Sequence, residues 1–256
     1  MIGGVRMPTR RRGREEGEKP FWISFSDLMS ALMVLFLVAM SVALLSVTKK
    51  VSVEEEENRQ RTEAISRLMS DIRKAVTAQE FAGIRVIGNT IDFGPRGRFE
   101  REGQNVLSEP QGDLLRQFTP VLLDLLRTSE AGQKWFKRAI VEGYASQSGK
   151  YLFNLNLSLE RSERVLCELL RAPASGIAPL AEADRQLIAT RFFVGGASFN
   201  SLQDTPDGSR RIEFKLEFKT RDERIEEAAH PKPSVDKRVL AEALDPRERC
   251  PIPDRR

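Results

Sequence analysis

The stretch FWISFSDLMSALMVLFLVAMSVALLSV, Phe21 to Val47, is apolar almost throughout and carries one carboxylate, Asp27. From Leu28 to Thr48 there are 21 consecutive residues without a charge. With residues 21–26 added, a helix rising 1.5 Å per residue runs about 40 Å, enough to cross a bilayer with some tilt. The apolar core of a cleaved signal peptide is only about 7–15 residues long, so this run reads as a retained membrane span over residues 21–48.

The flanks give an orientation. Arg6, Arg10, Arg11, Arg12, Arg14 and Lys19 precede the span, whereas only Lys49 and Lys50 follow it before the acidic Glu54 to Glu57 run. The positive-inside bias puts the basic tail, residues 1–20, in the cytoplasm and everything after residue 50 outside the inner membrane. The RRRGR cluster is a topology signal on this reading. The whole chain is nearly balanced, with 41 basic and 37 acidic residues and a net charge of +4, so no global field argues for a nucleic-acid partner.

Cys167 and Cys250 both fall in the external part, which in a bacterium is the oxidising periplasm. A disulfide can form there, but spacing leaves open whether the two pair with each other, across a dimer, or not at all. No Cys/His spacing points to a metal. With a single histidine, His230, neither a zinc centre nor a Ser-His-Asp site is expected, and the chain reads as a non-enzyme.

Beyond the span, residues 49–82 read as a helical linker. Ile65, Leu68, Met69, Ile72 and Val76 make a narrow apolar stripe there, the pattern of a helix that pairs with its copy in a dimer. Residues 83–220 have globular texture. The segment IRVIGNTIDF (84–93) reads as a first strand, and Leu114 to Leu126 as an amphipathic helix. RAIVEGYA (138–145) follows as a second strand, and Ser158 to Leu170 as a helix capped by Ser158. RFFVGGAS (191–198) reads as a third strand.

RIEFKLEFK (211–219) alternates Ile212, Phe214, Leu216 and Phe218 with charged residues, so one face is buried and the other wet. The expected fold class is α+β: one transmembrane helix, a helical linker and a two-layer α/β sandwich. Residues 221–256 hold nine basic and nine acidic residues and read as a charged C-terminal tail without a packed core.

An ionised Asp at the centre of a membrane helix costs roughly 2.5–3.5 kcal/mol on insertion scales. Two readings of Asp27 stand on the residues alone. Near the interface it would favour the helix N-terminus; facing a bundle interior it could bind and release a cation. Ser26 and Ser30 lie beside it and would admit another helix closely.

The pattern Phe25-Ser26-Asp27-Leu28-Met29-Ser30-Ala31-Leu32-Met33 resembles the single membrane helix of the MotB family of ion-driven stator subunits. Independently, IVEGYASQSGKYLFNLNLSLERSERVLCELL (140–170) is similar to the OmpA-like peptidoglycan-binding signature. Phe153, Asn154, Leu157, Ser158 and Arg161 fall on its positions, and SRRIEFKLEF resembles its last strand. Where that signature commonly has His-Thr-Asp after the glycine, this chain has Tyr144, Ala145 and Ser146. Within the family, the lead-in EKPFWISFSDLM and this altered turn look most like the MotB-like subunits of Zorya anti-phage defence systems.

The resemblance implies that Asp27 carries the ion, with Ser26 and Ser30 as ion-path neighbours and H+ as the translocated cation. It implies no bound cofactor. Two copies would sit inside a ring of a MotA-like membrane partner, called ZorA in Zorya, while Phe153, Asn154, Leu157 and Arg161 hold peptidoglycan in the periplasm. Residues 49–82 would then include a plug-like segment. Arg161 would be an exposed helix residue pairing with a stem-peptide carboxylate, and Ser146 would weaken the contact to the stem amine. The alternatives are a flagellar-type stator subunit, a cell-wall tether without ion transport, and an energy transducer of the ExbD or TolR kind.

Overall fold

The computed structural model describes residues 19–173, 179–231, 233 and 235–255. The basic tail therefore lies, up to residue 18, outside the described residues. The chain divides into two compact units, 1–56 and 57–256. Helix α1, Lys19–Ala75, supplies residues to both. In the first unit it contains an 18-residue window of mean hydropathy 2.6, long and apolar enough to cross a membrane.

The second unit is built on a five-stranded mixed sheet in the order β1-β2-β5-β3-β4. Strands β1 (Arg85–Ile87) and β2 (Thr90–Asp92) form an antiparallel hairpin, and β2 pairs with β5 (Ile212–Phe218). Next come β3 (Phe136–Gly143), antiparallel to β5, and β4 (Phe192–Gly196), parallel to β3. The parallel pair needs a crossover, which α4 (Tyr151–Leu170) and α5 (Glu182–Arg191) provide. Helix α2, Glu109–Thr128, completes the layer over the sheet, with a capping box between Ser108 and Gln111 at its start. The short helices α3 (Glu130–Lys134) and α6 (Pro206–Ser209) lead into β3 and β5.

The alternation read in RIEFKLEFK holds: Ile212, Phe214 and Leu216 are buried while Glu213, Lys215 and Glu217 stand on the other face. The amphipathic reading of α2 holds as well, with Leu114, Leu115, Phe118 and Leu122 buried in the core and Val121 and Leu125 packed against it. Four expectations are corrected.

First, IRVIGNTIDF is not one strand. Gly88 takes a positive φ of 56° and the chain reverses at Gly88-Asn89, with Ile87 opposite Thr90. This is the two-residue turn that such a pair favours. Second, α4 starts at Tyr151, seven residues before Ser158, so Ser158 lies inside the helix rather than at its cap. Its hydroxyl is fully buried, donating to the Leu155 carbonyl at 2.8 Å and accepting from the Ser198 amide at 2.9 Å.

Third, the stripe on the linker is not free for a second copy. Ala64, Leu68, Met69 and Ile72 belong to the same buried cluster as Phe81, Phe118 and Phe214, with Ile65 and Val76 packed against it. The globular unit therefore begins near Glu57 and not at residue 83. An apolar stripe reports that a face is covered, not what covers it.

Fourth, the charged tail has no packed core among its described residues, as expected, but it forms two short helices. Thr220 caps α7 (Arg221–Ala229), and Asp236 caps α8 (Lys237–Ala243). Arg221 and Arg224 of α7 both bond the Glu57 carboxylate, and Arg224 stands over the buried Trp135 ring at 5.0 Å. No residue after Phe218 joins the buried apolar cluster among the described residues, and the tail is held by polar bonds and by the Cys167–Cys250 disulfide.

Truncating Leu68 should therefore destabilise the second unit. Leu68→Ala is expected to cost about 2–5 kcal/mol, the usual range for emptying a leucine-sized core site. Thermal denaturation of the detergent-solubilised chain, followed by circular dichroism, measures it. A single cysteine at Ile72 should give no cross-linked dimer under mild oxidation, because the side chain faces its own core.

Candidate functional site

In the membrane unit, Asp27 lies within α1 among exposed apolar side chains, Phe25, Leu28 and Met29 being its neighbours in sequence. Ser30 donates its hydroxyl to the Ser26 carbonyl at 2.8 Å, and Ser41 and Thr48 do the same one turn back at 2.7 and 2.9 Å. Back-bonded hydroxyls are satisfied within the helix. The Ser30 hydroxyl is therefore satisfied within the helix and is no competing polar group beside the acid.

In the outer unit, the predicted residues 153–161 lie on the N-terminal half of α4, which is seated against the ends of β3 and β4 at two glycines. A Cβ at Gly143 would stand 2.0 Å from the Ser158 carbonyl oxygen, and one at Gly196 would stand 2.8 Å from the Leu159 nitrogen. Only glycine allows helix and strands to approach this closely. The loops that follow the two strands are tied together, Ala145 N–H donating to the Ser198 carbonyl at 2.8 Å.

Arg161 is placed by this seat, and it is fully buried, which corrects the expectation of an exposed helix residue. Its Nε donates to the Gln104 carbonyl at 2.8 Å and its Nη1 to the Tyr144 carbonyl at 2.6 Å. The guanidinium carbon lies 4.4 Å from the Phe99 ring centroid. The third nitrogen, Nη2, is buried and has no hydrogen-bond partner among the described residues. Burial, with the Arg210 guanidinium adding repulsion, pushes Arg161 down to about 9. A guanidinium held by two carbonyls and one ring, with one donor left over, can bond one further acceptor.

The other predicted residues separate into two kinds. Asn154 is buried and donates to the Ser148 carbonyl at 2.8 Å, and Leu157 is buried, so both shape the turn and the seat. Phe153 is about half exposed and free to touch a ligand. Ser146, at the position of the usual acid, is buried. One carboxylate missed by the sequence reading stands close by: Glu102 accepts the Ser148 hydroxyl at 2.6 Å.

Cys167 and Cys250 are bonded to each other, which fastens the end of the chain to α4 across 83 residues of sequence. Beside them Arg255 grips Glu160 with two bonds, at 2.7 and 2.9 Å, and stands over the Phe153 ring at 5.6 Å. Sequence reasoning missed this contact because charged, proline-containing composition reads as solvated.

One helix long and apolar enough to cross a membrane, bearing a lone acid in its apolar run, followed by an α+β unit with a buried arginine, defines a class of single-span membrane subunits. A family profile described as "Membrane MotB of proton-channel complex MotA/MotB" matches residues 8–56. Zorya protein ZorB of Escherichia coli O139:H28 (strain E24377A / ETEC) is 38% identical over 235 residues, 90% of this chain and 94% of that one. The chain belongs to the ZorB family, the MotB-like subunits of Zorya. Among solved structures it aligns with the periplasmic domain of Helicobacter pylori MotB at 11% identity and TM-score 0.38, over 64% of this chain and 89% of that one. It aligns with the OmpA-like domain of FopA1 from Francisella tularensis subsp. tularensis SCHU S4 at 16% identity and TM-score 0.33, over 54% and 82%.

The Glu160 contact carries a pH signature. Burial works against its charge, but the bonds from Arg255, Asn105 and Asn156 prevail and hold the carboxyl below its ordinary 4.5. A depressed folded value means that the stabilisation is fully present above pH 4.5 and is lost as pH falls below it. Thermal stability measured between pH 6 and pH 3 should therefore fall through the lower half of that range, and less steeply in Glu160→Gln.

Proposed function

We propose that this chain is the ion-carrying, wall-anchored subunit of an inner-membrane rotary motor that serves anti-phage defence. Its N-terminus lies in the cytoplasm and its outer unit in the periplasm. Two copies pass their α1 helices through a ring of a MotA-like partner, ZorA in Zorya. A single helix with one acid cannot enclose an ion path, so the ring supplies the other wall. Protons load and leave Asp27, each cycle changing its charge and its attraction to the ring, and the outer unit resists the resulting torque by gripping peptidoglycan. The role is non-enzymatic.

The observation that carries this reading is the pairing, in one ZorB-family chain, of two charges that are otherwise hard to explain. Asp27 interrupts an apolar span, and Arg161 is buried without a carboxylate and keeps one donor unused. An acid in a membrane helix is a functional site by default. A buried cation with a spare donor suits the carboxylates of a peptidoglycan stem peptide.

Asp27→Asn keeps the size of the side chain and fixes it in a neutral form. It should abolish phage protection while leaving membrane levels and partner assembly unchanged, as read by plaque counts and co-purification of the ring subunit. Full protection by that variant would favour a passive tether. For the anchor, Arg161→Lys keeps the charge and loses the fork. Binding of the full chain in detergent to purified cell-wall sacculi should weaken roughly tenfold, since a charge-assisted pair contributes about 1.5–3 kcal/mol. Removing the side chain altogether would also strand the Gln104 and Tyr144 carbonyls, so Arg161→Ala is expected to destabilise the fold and is the poorer test.

A further inference from the structure

The end of the chain, residues 250–255, is fastened at three places. The Cys167–Cys250 disulfide holds its start. In the middle, Arg164 donates to the carbonyls of Ile252 and Pro253 at 3.0 and 3.3 Å and pairs with Asp254 at 3.0 Å. At its end Arg255 clasps Glu160, as described above. One charge pair at a surface would mean little, but Pro253 and Arg255 of this segment both bond one residue, Asn105, which is fully buried.

Asn105 takes nearly all its partners from that segment. Its backbone N–H donates to the Arg255 carbonyl at 3.0 Å, and its Oδ1 accepts the Arg255 amide at 2.9 Å. Its Nδ2 donates to the Pro253 carbonyl at 3.0 Å and to Glu160 at 2.8 Å. The residue before it, Gln104, supplies the carbonyl that receives Arg161 Nε. A direct chain of bonds thus runs from Arg255 through Asn105 to one of only two carbonyls that aim the Arg161 guanidinium.

We propose that the fastened C-terminal segment is a working part of the wall-anchoring site, with Arg255 as a positioning residue for Arg161. Its guanidinium also stands 5.6 Å from the ring centroid of Phe153, the half-exposed aromatic on the same helix as Arg161. Without the segment, Asn105 keeps only its bond to Glu160 and Gln104 only its local bonds to Arg101 and Val106, so the Gln104 carbonyl is held less firmly and the spare Nη2 is aimed less narrowly. The inference rests on the peptidoglycan-anchoring reading of Arg161.

The test uses the full chain in detergent, purified sacculi as the ligand, and two readouts for each variant: sacculus affinity and melting temperature. Arg255→Ala should weaken sacculus binding roughly three- to tenfold, the size of coupling seen between residues in one polar network, at a temperature where the protein remains folded. Arg255→Lys, which keeps a charge for Glu160, should recover part of that loss. A Cys167→Ser/Cys250→Ser double variant should weaken binding in the same direction. If Arg255→Ala and the double cysteine variant bind as the unchanged chain does while Arg161→Lys fails to bind, the segment is a stability staple only and the proposal is wrong. If Arg161→Lys itself binds normally, the anchoring reading falls and takes this inference with it.

Discussion

Arg161 is the constraint around which the outer unit is arranged. A guanidinium taken out of water is costly unless its donors are met, and a carboxylate partner would be the simplest remedy. None is present among the described residues; two backbone carbonyls and the Phe99 ring stand in its place. To bring the Tyr144 carbonyl to the third turn of α4, β3 must end against that helix, which requires glycine at 143. To bring the Gln104 carbonyl there, the loop before α2 must be held down by something else. That something is the far end of the chain.

The polar and apolar parts of the unit therefore do different work. Burial of Leu68, Ile72, Phe118 and Phe214 in one cluster makes the unit compact, and it includes the second half of α1 as a structural helix. The ionic contacts decide where the peripheral elements stop. Glu57 illustrates this: burial opposes its charge, yet the bonds from Arg221 and Arg224 hold it below the ordinary carboxylate value. They fasten α7 to α1 within the outer unit. Contacts of this kind contribute little each when fully exposed, but several converging on one carboxylate give a defined geometry.

Burial and two hydrogen bonds hold Arg161 still, so a further bond from it would cost little additional side-chain freedom. Long exposed arginines would reach a ligand as easily but would lose more rotamer freedom when held.

Much of this was legible in the residues. The uncharged run from Leu28 to Thr48 and the alternation of Ile212 to Phe218 are periodic signals that depend on local chemistry alone, and both hold. So does the placing of Asp27 in the span and of Arg161 on the helix after β3. The turn at Gly88-Asn89 was a local signal passed over, whereas the other misreadings depend on a partner far along the chain. The stripe from Ile65 to Val76 is the same pattern whether a second copy or the chain's own core covers it. Ser158 looks like a cap until Ser198, 40 residues on, claims its hydroxyl. The tail from residue 221 is charged enough to be solvated, and it is ordered because Glu57, Glu160 and Asn105 await it. Hydrophobic period acts between neighbours in sequence, so the sequence by itself determined the span, strands β3 to β5 and helix α2. Partnership between buried polar groups acts only at hydrogen-bond distance, so the tertiary structure alone decided that Arg161 is buried and which segments hold it in place.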